Sequence, residues 1–206
     1  TTSHTPFKKR GVYDPCMITG RPTKEVANDE VLENCDYTRI HSAERDMMRH
    51  KASKGVCGMF IWTGVDYLGE PTPHLWPSRS SYFAPVDTCG FKKDSFYYYQ
   101  SQWSGEPMVY LTGHWNWNGL EGKDIDILAY TNCDSVELFL NGKSLGAKEY
   151  DFVACSHLTW QVPYSAGELK AIGYKGGKAV AEYSMATTDK PYAVKLSGYK
   201  SSLKAG

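Results

Sequence analysis

An α/β segment followed by an all-β sandwich is the fold class that the sequence predicts, and three observations carry the prediction. A helical stretch leads into the apolar run Val56–Trp62, which lacks the polar alternation of a half-buried strand. From Met108 onward the apolar period is two, in short runs separated by turn residues. Between the two patterns stands Gly105-Glu106-Pro107, which interrupts both and marks a boundary. The chain is therefore divided into residues 1–104, 105–188 and 189–206, the last stretch being too short for a domain.

Taken in order, Pro6, Pro15, Gly20 and Pro22 break any long element before Asn34 and leave room for one short helix within Thr23–Leu32. Ser42 is placed to cap a helix over residues 43–50, with Glu44 near its positive end and Arg49 and His50 near its negative end. Val56–Trp62 is expected to be a parallel strand buried on both faces; without ladder partners it would expose Met59, Phe60 and Ile61. The Gly-, Pro-, Ser- and aromatic-rich text that follows, up to Tyr82, takes the place of the loop after a barrel strand, where such barrels build their sites. Asp94–Trp103 fits a helix that returns to cover the outside of the barrel. Strands are then predicted at Val109–Leu111, Ile125–Tyr130, Val136–Leu140, His157–Val162, Glu168–Tyr174 and Ala179–Tyr183. Asn141-Gly142 and Gly176-Gly177 supply the positive φ angles of two-residue hairpin turns.

Composition excludes several classes of partner. The 23 Lys+Arg balance 23 Asp+Glu, so no net charge draws the chain to nucleic acid or anionic lipid. No run of about 20 apolar residues is long enough for a membrane span. Thr1–Pro6 lacks the basic and apolar regions of a secretory leader, which leaves the compartment open. Cys16, Cys35, Cys57, Cys89, Cys133 and Cys155 show no CxxC or other metal spacing, and neither a metal nor another cofactor is expected. The aromatic residues crowd between Phe60 and Trp117, an enrichment that lines sugar sites and also fills sandwich cores.

The text from Gly58 through Trp62-Thr63-Gly64-Val65-Asp66-Tyr67-Leu68-Gly69-Glu70-Pro71 to Pro73, followed by Trp76-Pro77-Ser78-Arg79-Ser80-Ser81-Tyr82-Phe83, resembles the final barrel strand and loop of family 2 glycoside hydrolases of the beta-galactosidase type. The resemblance continues in order through Asp87–Asp94, His114–Trp117, Tyr130–Gly142 and Val162–Tyr174. It implies that residues 1–104 are the end of a TIM barrel, that residues 105–188 are an immunoglobulin-like sandwich, and that residues 189–206 begin a truncated linker. Arg10-Gly11-Val12-Tyr13 looks like text just after the family's nucleophilic glutamate, and Thr1-Thr2-Ser3 like the residues directly following it. By this resemblance both glutamates of the retaining pair, which stand about 5–5.5 Å apart, would precede Thr1. The parent enzyme is expected to remove terminal β-galactosyl residues, and the isolated chain to be inactive. Its partners would be a β-galactoside and the missing amino-terminal part of the same enzyme. Lys8-Lys9 and Ala84 depart from the family pattern, where small polar residues and glycine are commoner.

The resemblance also assigns roles. Trp62 would offer its flat face to the C–H face of galactose and its N–H to a hydroxyl; by position alone, a Trp at a strand end more often belongs to the core. Glu70, eight residues on, would accept hydroxyl hydrogen bonds and discriminate stereochemistry, because a buried acceptor left unpaired costs about 1–3 kcal/mol. Ser78 and Arg79 offer a hydroxyl and a guanidinium at the same mouth, and Asp66 is expected to tie the loop to the scaffold through backbone amides. His74 and His114 have no second histidine at metal spacing and are expected to pack, as is Trp115-Asn116-Trp117, at an interdomain contact. A different class of reading stands beside this one: a non-catalytic β-sandwich that binds carbohydrate or acts as a spacer.

Overall fold

The computed structural model describes residues 43, 44, 47, 50, 51, 53–71, 76–81, 83–153, 156–195, 197 and 202. The short helix within Thr23–Leu32, the cap at Ser42, the resemblance of Thr1–Tyr13 and the packing of His74 lie outside the described residues.

The period-two text folds into β1 (Val109–Leu111), β2 (Asp124–Thr131), β3 (Ser135–Leu140), β4 (Lys143–Glu149), β5 (Leu158–Pro163), β6 (Glu168–Lys175) and β7 (Lys178–Ala186). They form two antiparallel sheets, ordered β1-β2-β5 and β4-β3-β6-β7, and the chain passes from one sheet to the other after β2, β4 and β5. The alternation that predicts strands also sets which face is inward. In β5 Leu158, Trp160 and Val162 are buried while Gln161 and Pro163 are exposed, and in β6 Leu169 and Ala171 point the same way. With Ile125, Ile127 and Val136 these side chains make one core between the sheets.

Both two-residue hairpins form where expected. Leu140 pairs with Lys143 across Asn141-Gly142, with φ of 51° and 78°, and Lys175 pairs with Lys178 across Gly176-Gly177, with φ of 57° and 75°. β4 itself has no strand signature. It is an edge strand, exposed at every position but Leu145, so no buried face imposes apolar alternation on Lys143–Glu149.

Helix α1 (Asp94–Trp103) has the bounds that the sequence predicts. Its buried side, Asp94, Ser95, Tyr98 and Ser101, follows a helical period, and Tyr98 packs with Ala43, Met47, Met108, Tyr110 and Tyr130. Among the described residues this side of α1 therefore rests on the outer face of β1 and β2. That cover explains why β2 is buried at every position after Asp124.

The expected barrel strand is not formed. Val56–Trp62 is irregular, with Phe60 fully exposed and Met59 and Ile61 half-buried. A parallel strand exists only when neighbouring strands accept and donate its ladder bonds, and no strand lies beside this run among the described residues. Among the described residues the α/β end of the predicted fold class is thus helical at residues 43, 44, 47, 50 and 51 and at Asp94–Trp103, with loops between and no barrel strand.

Candidate functional site

The loop after Trp62 is organised by short backbone links. Leu68 bridges Ser80, the Gly69 N–H donates to the Arg79 carbonyl at 2.6 Å, and the Ser81 N–H donates to the Tyr67 carbonyl at 2.9 Å. Farther in, the Asp66 N–H donates to the Val86 carbonyl at 2.8 Å, and the Lys93 N–H to the Pro85 carbonyl at 2.9 Å. Residues 65–71 and 78–86 are thereby laid side by side. The Trp62–Thr63 and Trp76–Pro77 peptide bonds are cis.

Asp66 is the loop's anchor. Its buried carboxylate accepts the Ala84 N–H at 3.0 Å and the Ser81 hydroxyl at 3.3 Å, and it pairs with Lys93 Nζ at 2.5 Å. A carboxylate so enclosed needs such donors, because desolvation without them costs more than the pairing returns. The scaffold role expected of Asp66 is what these bonds perform.

The four candidate sugar contacts fall on this frame. Glu70 follows Gly69 at a sharp turn in which both residues have positive φ, 101° and 47°, and its exposed carboxylate accepts the Tyr67 hydroxyl. Arg79 faces it across the backbone pairing, its guanidinium 4.5 Å from the centroid of the Trp76 ring. Ser78 adjoins Arg79 and is half-buried. Trp62 stands at the head of the loop, 75% exposed, with its ring open rather than in a core. The structure thus brings Glu70, Ser78 and Arg79 onto two adjoining stretches, with Trp62 preceding the first.

Behind the loop, Ile61, Val86, Phe96, Tyr99 and Trp103 line an apolar cavity of about 450 Å³ between it and α1. A second, more polar cavity of about 280 Å³ is lined by Asp87, Lys92, Lys93, Asp94 and His114. There the Asp94 carboxyl accepts the Tyr110 hydroxyl at 2.5 Å, and burial pushes its pKa up to about 6 despite that bond and one from the Gly113 backbone. Burial likewise lowers the pKa of His114, which accepts the Asn116 N–H at Nδ1 and stacks on Trp117. Trp115 is wholly buried and donates to the Ser165 carbonyl, so its ring closes the end of the sandwich core, while the adjoining His114 borders residues 87–94 across the second cavity. Among the described residues no group of three or more His, Cys, Asp or Glu side chains is arranged to hold a metal ion.

The sequence reading missed the groups that hold the loop and tie it to the sandwich. Tyr67 on Glu70, Lys93 on Asp66 and Tyr110 on Asp94 are pairs 3, 27 and 16 residues apart. Glu44 accepts from Ser156 at 2.9 Å and pairs with His157 at 3.0 Å, 113 residues away. The acid at the head of α1 was the one readable sign, since helix starts favour it.

Compared with known proteins, residues 122–181 match the family described as a domain of unknown function, DUF4982. The chain is 42% identical to the beta-galactosidase BoGH2A of Bacteroides ovatus over 174 residues, which are 84% of this chain and 20% of that protein. It is 30% identical to a beta-glucuronidase of Formosa agariphila over 111 residues, 54% of this chain and 11% of that protein. Among solved structures, a beta-glycosidase from Bacteroides vulgatus superposes with a TM-score of 0.60 at 45% identity, over 69% of this chain and 18% of the other. A glycosyl hydrolase family 2 member from Bacteroides cellulosilyticus does so with a TM-score of 0.65 at 28% identity, over 72% of this chain and 24% of the other. The chain spans no more than a fifth of the length of these two curated relatives.

Proposed function

The chain belongs with the family 2 glycoside hydrolases, and on that premise we propose that its parent protein is a retaining, exo-acting beta-galactosidase whose sugar site this chain walls on one side. The observation that carries the reading is the open ring of Trp62 at the head of a loop that also presents the Glu70 carboxylate on a fixed turn. An exposed aromatic plane followed by a hydroxyl-accepting acid is the chemistry that a sugar ring requires: apolar C–H on one face, hydroxyls at the edge.

In this reading Trp62 stacks on the terminal galactose, Glu70 accepts its hydroxyls with Tyr67 setting the carboxylate's rotamer, and Ser78 and Arg79 complete the edge. The chemistry falls to two glutamates outside this chain, and this segment positions the substrate for them. The glycone is neutral: a uronic acid would bring its carboxylate toward that of Glu70, and like charges repel strongly once water is excluded. The strand order, three strands against four with repeated crossing, supports reading the sandwich as immunoglobulin-like. Fully exposed Phe60 and the apolar cavity beside Ile61 are surfaces for the rest of the barrel to cover.

The test uses the full-length parent with an aryl β-galactoside. Trp62→Ala and Glu70→Gln are each expected to lower kcat/KM by about a hundredfold, the size of a lost stacking platform or of unpaired buried hydroxyls. If both variants keep the wild-type value, the assigned contacts are wrong; if the parent cleaves only the matching glucuronide, the glycone is wrong.

A further inference from the structure

Two consecutive residues bind in opposite directions. Lys93 reaches back to the loop, where its ammonium pairs with Asp66 at 2.5 Å. Asp94 reaches forward to the sandwich, where its buried carboxyl takes the Tyr110 hydroxyl of β1 at 2.5 Å and a backbone N–H from Gly113. Each link is fixed at its far end. Asp66 also holds Ala84 and Ser81, and with them the pairing that carries Glu70 and Arg79. Tyr110 is clamped between the Tyr97 ring, stacked at 3.7 Å, and the Tyr183 ring of β7, edge-on at 4.9 Å. Lys93 is the N-cap and Asp94 the first residue of α1, so both links leave from the start of one helix.

We propose that Lys93-Asp94 is a two-way clasp through which strand β1 of the sandwich holds the loop bearing Trp62 and Glu70 in place. Tyr110, Asp94, Lys93 and Asp66 then act in series as positioning residues, and the sandwich becomes a support for the site rather than a spacer. That the loop binds sugar rests on the reading above; that the clasp holds the loop does not.

Amide hydrogen exchange on the whole 206-residue chain tests the clasp directly. Tyr110→Phe keeps the ring and its stack and removes only the hydroxyl. It is expected to speed exchange of the Asp66, Gly69 and Ser81 amides by about tenfold, the worth of one charge-assisted hydrogen bond. Lys93→Met is expected to do the same. Because the links are in series, the double variant should exchange no faster than the faster single one. Val162→Ala, a truncation in the sandwich core away from the clasp, should leave these amides at the wild-type rate. Asp94→Ala, which removes the acceptor, gives the same readout if Tyr110→Phe fails to fold. Unchanged loop amides in Tyr110→Phe, or an equal loosening by Val162→Ala, overturn the proposal. In the full-length parent, Tyr110→Phe should raise KM for the aryl β-galactoside severalfold; a parent inert toward galactosides sinks the sugar reading, while the exchange rates still decide the clasp.

Discussion

Asp94 is a buried carboxyl at the start of α1. Burial raises its pKa from 3.8 to about 6, against the opposing hydrogen bonds of Tyr110 and Gly113. The folded state therefore retains a proton that the unfolded chain has already released between those two values. Stability contributed by that proton is fully present below pH 3.8 and is lost as pH rises toward 6, after which the curve is flat. At about 1.4 kcal/mol per pKa unit the effect is at most about 3 kcal/mol. Other carboxylates impose their own dependence on acid, so the useful quantity is a difference between two proteins. Denaturant unfolding of the wild type and Asp94→Asn at pH 4, 5, 6 and 7 should give curves that converge toward low pH and separate toward neutral pH, with the amide variant gaining relative stability. Parallel curves would mean that the carboxyl is ionised throughout. Tyr110, whose own pKa burial pushes upward, stays a donor across the whole range.

At the scale of the element, what the sequence could disclose was decided by where each element finds its partners. Strands such as β5 and β6 carry their own evidence, because one face is buried and the alternation records it. β4 carries none, being an edge strand. Val56–Trp62 shows the reverse failure: its composition promises a strand, but strandness is a property of the ladder rather than of the run. Trp62 and Glu70 could be named only through the motif that contains them, and Tyr110 with Asp94 not at all, because a contact across 16 residues leaves no local signal. The loop between β5 and β6 is held by a contact that leaves no local mark in the sequence. Asn141 in the β3–β4 hairpin accepts the Glu168 N–H at 2.9 Å and donates to the Ala166 carbonyl at 3.0 Å, passing over Gly167. A Cβ on Gly167, whose φ is 134°, would stand 1.8 Å from the Asn141 side-chain oxygen. Gly167→Ala should therefore both strain the backbone and break these bonds, costing about 2 kcal/mol or more in thermal or denaturant unfolding. A loss within experimental error would show that the Asn141 link contributes nothing.

For the molecule as a whole, the question is whether the sandwich stands alone or needs the residues before it. Among the described residues its inter-sheet core is drawn from residues between 109 and 185, so the stretch 105–188 contains what it needs to fold. Its outer face is a different matter. Tyr130 is fully buried and Met108 and Tyr110 nearly so, and their cover is Tyr98 of α1 with Ala43 and Met47. Glu44 adds a polar tie from the same side, taking Ser156 and His157 into hydrogen bonds from a buried position. Removing residues 1–104 would expose the three apolar side chains and leave His157 and Ser156 facing water, where they find other partners at little cost. The net loss is then chiefly the burial of these three side chains, at about 1.5–3 kcal/mol for each that becomes fully exposed. In a domain of this size each 1 kcal/mol lost lowers Tm by about 4–8 °C. The comparison is between the excised stretch and the sandwich transition of the full chain, followed through the amide signals of β2 and β5. An unchanged midpoint would mean that α1 rests on the sandwich without stabilising it, and a rigid support for the Trp62–Glu70 loop would then have to come from elsewhere in the parent protein.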